Sequence, residues 1–215
     1  MLMRFTSWWR LLLVTGLLLL LNVGEASAAS APALLLANEL RPNVEPAKYL
    51  VSEKYDGVRA LWNGQALRFR SGRAVPAPTW FIAKLPQQPL DGELWLGRGR
   101  FDALSGIVRR SEPVNDEWRQ IKYMIFELPD APGSFAERAE RIKEIVAKKN
   151  WPQLIAVEQF RVANRAALKK KLDEVVRGGG EGLMLHLADA PYQTGRSDVL
   201  LKLKPLQDSE AEVIA

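Results

Sequence analysis

Lys54-Tyr55-Asp56-Gly57-Val58-Arg59 sets a lysine two residues before an Asp-Gly turn and five before an arginine. Upstream, Tyr49 to Lys54 reads as a strand. Downstream, Val58 to Trp62 and Gln65 to Arg70 flank Asn63-Gly64, the strongest short hairpin signal a sequence offers. Lys54 therefore falls at a strand end beside a β-hairpin. A lysine attacks an electrophilic phosphorus only as the neutral amine, a form favoured by burial or by nearby positive charge. Lys202 and Lys204, alternating on an expected strand, can point to one face and supply such charge. Taken alone, the hexapeptide reads equally as a strand running into a turn with Lys54 solvated.

Further along, Trp80 to Lys84 is expected as a short helix, Gly92 to Leu96 as a strand and Arg100 to Arg109 as a helix with Phe101, Leu104 and Val108 on one face. Ile121 to Leu128 is apolar enough for a buried strand. Ser134 caps a helix, with Glu137 three residues on completing a capping box. Arg165 to Val176 forms a second long helix that stops at Gly178-Gly179-Gly180, which lacks the context of a phosphate loop. Gly182 to Leu187 and Val199 to Leu203 close the series as strands, and Ser30 to Pro46 reads as an irregular arm carrying a short helix. Strands outnumber helices and hairpins join several of them. The fold class expected is α+β, antiparallel sheets flanked by helices, rather than a doubly wound parallel sheet.

At 215 residues the chain has room for one well-cored domain, or one domain and part of a second. Its ordinary composition excludes disordered and collagen-like classes. Residues 1–28 read as a signal peptide: Arg4 and Arg10 form the basic start, Leu11 to Val23 the apolar core and Ala26-Ser27-Ala28 the cleavage site. An uncleaved anchor is the competing reading. Loss of Arg4, Arg10 and Glu25 with the leader lowers the formal charge from +5 to +4, a mild balance compatible with a polyanionic partner. There is no cysteine, so disulfides and thiolate metal sites are excluded.

Five more segments suit a nucleotide pocket: Arg70-Ser71-Gly72-Arg73, Asp91-Gly92-Glu93, Phe126-Glu127, Glu181-Gly182-Leu183-Met184 and Lys202-Leu203-Lys204. An attack at phosphorus builds charge on the equatorial oxygens, which lysines and a metal neutralise in a water-poor cleft. Glu93 accepts from hydroxyl donors, and Phe126 offers a π-face to any base. Each also has a plainer reading. Glu93 and Glu181 suit surface strand starts, Phe126 suits the core, and Lys202 and Lys204 alternate with leucines as in any half-buried strand.

With these segments in order, residues 36 to 205 resemble the covalent nucleotidyltransferase superfamily and, within it, the ATP-dependent DNA ligases, most of all the minimal periplasmic bacterial kind. The resemblance implies a nucleotidyltransferase (ATP-grasp-like) adenylation domain over residues 29–205. Residues 206–215 would be a linker and the start of an OB-fold domain that is missing or truncated, a loss expected to weaken self-adenylylation and nick sealing. It implies ATP and Mg²⁺ (or Mn²⁺) as cofactors, nicked double-stranded DNA as partner, a monomer, and a periplasmic or secreted location. By the same resemblance Lys54 forms the AMP-lysine phosphoramidate, while Asp56 and Arg59 hold the ribose and polyphosphate side, Asp56 also the metal. Glu93 would bind the ribose hydroxyl, Phe126 the adenine, Glu181 the divalent cation, and Lys202 and Lys204 the α-phosphate. Arg70 and Arg73 would touch DNA, with Arg68, Arg98, Arg100, Arg109 and Arg110 tracking further phosphates.

One departure stands out. Where many such ligases place a glutamate two residues before the nucleophile to read the adenine amine, this chain has Ser52, with Glu53 adjacent. The lone histidine, His186, is expected to be structural or at the surface, and Lys169-Lys170-Lys171 a solvated helix face. Two other functions remain open on sequence: an RNA ligase or capping-type nucleotidyltransferase, and an exported DNA-binding module that has lost catalysis.

Overall fold

The computed structural model describes residues 31–205; the leader 1–28 and the tail 206–215 lie outside them. Nine strands form two sheets. One contains β1 (Leu35–Glu39), β2 (Tyr49–Lys54), β8 (Gly182–Leu187) and β9 (Gly195–Leu203) in the order β1-β9-β8-β2. The other contains β3 (Val58–Trp62), β4 (Leu67–Phe69), β5 (Leu90–Trp95), β6 (Lys122–Glu127) and β7 (Leu154–Ala156) in the order β4-β3-β5-β6-β7. The helices are α1 (Thr79–Lys84), α2 (Phe101–Arg109), α3 (Asn115–Trp118), α4 (Phe135–Lys149) and α5 (Arg165–Arg177).

Alternation along the strands decides which faces are dry. In the five-stranded sheet Ala60, Trp62, Leu90, Leu94, Tyr123 and Ile125 share the larger core with Phe81, Leu104, Val108, Trp118, Ile142 and Trp151. In the four-stranded sheet Tyr49, Val51, Leu183, Leu185 and Leu201 pack with Leu168 and Val175 of α5. Each fully buried aliphatic or aromatic side chain of these sets contributes about 1.5–3 kcal/mol of hydrophobic stabilisation. On the opposite faces Ser52, Lys54, Arg59, Glu93, Phe126 and Lys202 line a cleft bordered by both sheets.

Most expected elements occur within a residue or two of their predicted bounds. Asn63 builds the β3–β4 turn, its Oδ1 accepting from the amides of Gln65 and Ala66, and Gly64 takes the left-handed φ of 94°. Ser134 and Glu137 form the expected capping box, and Asn164 caps α5 through Ala167 N–H. The triple glycine is the end of α5.

The region expected as an irregular arm instead carries β1, which runs parallel to β9, and its helical portion is only a 3₁₀ turn at Pro46–Lys48. Strand β7, parallel to β6, and the one-turn α3 were not foreseen. Three-residue strands and single helical turns are too short for periodicity to register. Parallel partners also lie far apart in sequence, where no turn signal marks them.

Candidate active site

Lys54 ends β2 directly opposite Gly182 at the start of β8, so the side chain of Glu181 meets it at the mouth of the cleft. Lys54 Nζ donates to Glu181 Oε2, and Lys204 Nζ lies 2.5 Å from Oε1 of the same carboxylate. Burial pushes the Glu181 carboxyl up, but the hydrogen bonds and charges of Lys204 and Lys54 outweigh it and hold the group below its ordinary range. The two lysines thus share one carboxylate. Lys202 lines the cleft, but its amine turns to Glu39 of β1 at 2.8 Å.

Arg59 stands across from Glu93 in the β3–β5 register. Its guanidinium grips Asp91 in a bidentate pair, Nε to Oδ1 at 2.9 Å and Nη2 to Oδ2 at 2.6 Å, while Nη1 donates to the carbonyl of Leu35 at 3.0 Å. One side chain therefore ties the hairpin to β5 and, across the cleft, to β1 of the other sheet. The same guanidinium lies 5.4 Å from the centre of the Phe126 ring, which borders the cleft. Burial lifts the Glu93 carboxyl to about 8 against the pull of the Arg59 and Lys54 charges. Near neutral pH it is thus both donor and acceptor, suited to a hydroxyl partner.

The cleft encloses about 330 Å³, enough for a small organic ligand. Lys54, Arg59, Glu93, Phe126, Lys202 and Arg70 all line it. Asp56 does not; it is exposed on the turn after β2. Arg73 is exposed with its guanidinium over Phe69 at 5.8 Å, away from the cleft. Among the other arginines, Arg98 is engaged by Glu53 through Nε at 2.9 Å and Nη2 at 2.8 Å, and Arg110 by Glu117 at 3.1 Å. Lys169 and Lys171 pair with Asp173 and Glu174 on the exposed side of α5, as expected of a solvated face.

At the wall of the cleft lies a buried cluster that sequence reasoning missed. Arg138 of α4, wholly buried, binds Glu127 through Nε to Oε1 at 2.7 Å and Nη2 to Oε2 at 2.8 Å, and its Nη1 reaches the carbonyls of Gly133 and Ala190. His186 stacks on Phe135 with ring centres 3.6 Å apart. Burial, aided by the Arg138 charge, lowers the His186 imidazole to about 3, so it is neutral at pH 7. It is buried rather than at the surface, and it borders the cleft. A signal for the cluster was present: Phe135, Arg138, Ala139 and Ile142 follow the i, i+3, i+4, i+7 spacing of an apolar stripe. A charge in such a stripe requires a buried partner.

A divalent cation of the Mg²⁺ type prefers oxygen donors, keeps several waters and needs only one or two carboxylates beside substrate phosphates. Glu181 offers such an oxygen at the cleft mouth, with Asp56 on the adjoining turn. No group of three or more potential ligands occurs among the described residues.

Residues 35–204 match the family described as "ATP dependent DNA ligase domain". A DNA ligase of Haemophilus influenzae is 33% identical over 198 residues, which cover 92% of this chain and 72% of that protein. Among solved structures, a Lig E DNA ligase studied for DNA binding with a minimal scaffold superposes with a TM-score of 0.76 at 38% identity, covering 81% of this chain and 69% of that one. The Chlorella virus DNA ligase-adenylate shares the fold, with a TM-score of 0.68 at 21% identity over 81% of this chain and 69% of its own. By the span of this match and the identity to its relatives, the chain belongs to the ATP-dependent DNA ligase domain family.

Proposed function

We propose that the chain catalyses ATP-dependent sealing of nicks bearing a 5′-phosphate and a 3′-hydroxyl in double-stranded DNA, through a lysyl-AMP intermediate on Lys54. The observation that carries this reading is the convergence of Lys54, Glu181 and Lys204 at one end of a cleft whose walls present Glu93, Arg59 and Phe126. The neutral Lys54 amine attacks the α-phosphorus of ATP. An N–P bond forms, the bridging P–O bond to the β-phosphate breaks, pyrophosphate leaves and the surplus amine proton passes to solvent. AMP is then transferred to the 5′-phosphate at the nick, and the 3′-hydroxyl displaces AMP as the phosphodiester forms. Lys54 is the nucleophile in the first displacement alone.

Lys204, and Lys202 once its amine leaves Glu39, would balance charge on the α-phosphate oxygens. Glu93, which lines the cleft, would bind a ribose hydroxyl, and Phe126 would stack on the base once Arg59 shifts from its ring. Glu181 and Asp56 would hold Mg²⁺ or Mn²⁺, which, when bound, neutralises charge on the polyphosphate. Arg70, exposed at the cleft edge, is a candidate contact to the DNA backbone; Arg73, on the same hairpin, would reach phosphates only beyond it. The apolar run Leu11 to Val23 followed by Ala26-Ser27-Ala28 supports export to the periplasm after cleavage, and the likeness to DNA ligases suggests a monomer.

Incubation with α-labelled ATP and Mg²⁺, followed by denaturing electrophoresis, tests the reading. A covalent label present in the native protein and absent in Lys54→Ala is expected. Absence of label together with salt-sensitive DNA binding would favour a DNA-binding module instead, and ligation of nicked RNA in preference to nicked DNA would favour an RNA ligase.

A further inference from the structure

Val51 of β2 exchanges both backbone hydrogen bonds with Phe160, its N–H reaching the Phe160 carbonyl at 2.8 Å and the Phe160 N–H its own carbonyl at 2.9 Å. This antiparallel register carries Gln159 to the position facing Ser52, on the side of β2 that also bears Lys54. Ser52 and Gln159 both line the cleft. The Gln159 Oε1 atom is buried and has no hydrogen-bond partner among the described residues. A buried amide left unpaired costs free energy unless a ligand satisfies it.

Other polar groups along this wall are engaged, short or confined to a single pairing atom. Glu53 is held by Arg98, and Glu127 by Arg138 and by the Leu128 N–H. Ser52 carries only a hydroxyl. His186 also presents an unpaired buried Nε2 to the cleft, but one face of its ring is stacked on Phe135 and a single ring nitrogen cannot pair with an amine and a ring acceptor together. Gln159 is the one carboxamide lining the cleft, and a carboxamide presents an acceptor and two donors on a single plane that can turn about its last torsion. Adenine presents the complement, an exocyclic amine beside a ring-nitrogen acceptor, and glutamine is a bidentate partner for that pair of atoms. Two residues of strand place Ser52, and Gln159 across from it, about 7 Å from Lys54 along β2. A nucleotide whose α-phosphate meets Lys54 therefore has its base directed towards this amide.

We infer that Gln159 is the residue that reads the adenine edge, and so sets the preference for ATP, in the adenylylation proposed above, on which this inference rests. Its Oε1 accepts from the adenine amine and its Nε2 donates to the adjacent ring nitrogen.

The test is formation of Lys54-linked nucleotide by the full chain, with ATP compared against purine riboside triphosphate, which lacks the exocyclic amine, and against GTP. In the native protein, loss of the amine should raise KM about tenfold, the scale of one good base contact. In Gln159→Leu that penalty should vanish, because the KM for ATP rises to meet that for the amine-free analogue. Gln159→Glu, which keeps an acceptor, should retain most of the penalty. Thermal unfolding of each variant controls for folding, and the ratio of the two KM values is read within one variant, so a uniform loss of active protein leaves it unchanged. If Gln159→Leu keeps the native ratio, or if Gln159→Glu is as insensitive to the amine as Gln159→Leu, the assignment is overturned while the ligase reading stands. If the native protein forms no Lys54-linked nucleotide, the ligase reading fails first. If Gln159→Leu does not fold, Gln159→Met, which keeps the length of the side chain but carries no carboxamide, takes its place: loss of the penalty supports the assignment and a native ratio overturns it.

Discussion

Arg138 and Glu127 meet as a two-point ion pair in the interior, 0% and 4% exposed, joining α4 to the last residue of β6 immediately beside Phe126. Glu127 borders the cleft while Arg138 lies behind it in the interior, so the pair fixes the end of β6 that carries Phe126. Truncating one partner leaves the other charge buried and uncompensated, a loss of about 3–5 kcal/mol. Arg138→Ala or Glu127→Ala should therefore unfold at much lower urea. The double variant Glu127→Leu/Arg138→Met should recover a substantial part of that stability. Urea denaturation of all three checks the coupling, and additive losses would contradict it.

Glu181 binds Lys54 and Lys204 at once. Removing Lys204 takes away one positive charge near the proposed α-phosphate without touching the nucleophile. Lys204→Ala is expected to slow lysyl-AMP formation about 100-fold, in the range measured when one preorganised electrostatic partner is lost. Its unfolding midpoint should change little, since Lys204 is about half exposed. Single-turnover labelling beside a thermal melt separates the two effects. A labelling rate within a factor of about two of native would remove Lys204 from the mechanism.

The glycine of the opening hexapeptide is required by packing. A methyl group built on Gly57 would lie 2.4 Å from the Leu94 carbonyl and 2.6 Å from Glu93 Cγ, so the backbone of the turn approaches β5 too closely for any side chain. Gly57→Ala should cost about 1–3 kcal/mol through overpacking and displace Lys54 and Glu93 together. Denaturation and nucleotide-labelling assays on this variant should both be impaired. Native stability would refute the close approach.

Glu93 and His186 give the ligand-free protein opposite responses to pH. The Glu93 carboxyl is held at about 8 in the fold, above its ordinary 4.5, so its contribution is complete below pH 4.5 and is lost as pH rises through 8. His186 is held at about 3, below its ordinary 6.5, so its contribution is complete above pH 6.5 and is lost as pH falls through 3. Glu93→Gln should flatten the alkaline side of the stability curve, and His186→Gln the acid side. Urea midpoints from pH 4 to 9 provide the check. An unchanged alkaline slope in Glu93→Gln would place the responsible group elsewhere.

Much of this protein is written locally. Asn63-Gly64 dictates a hairpin because glycine takes the left-handed backbone at no steric cost. Ser134 and Glu137 dictate a helix start because they satisfy amides the helix itself leaves open. The order of Lys54, Glu93, Phe126, Glu181, Lys202 and Lys204 along the chain points to nucleotidyl transfer. β1 could not be read this way, because its partner β9 lies about 160 residues away along the chain, and a parallel pairing leaves no mark in the intervening turns.

What the amino-acid order determined alone was the set of elements and the chemical cast, since propensity, capping and period depend on neighbours within a few residues. Tertiary structure decided the partners. It bound Lys204 rather than Lys202 to Glu181, left Asp56 on an exposed turn, took Arg59 across the cleft to Leu35, and set Gln159 opposite Ser52. Such choices follow from strand register and from the need to satisfy every buried charge, and both arise only when distant segments share one interior.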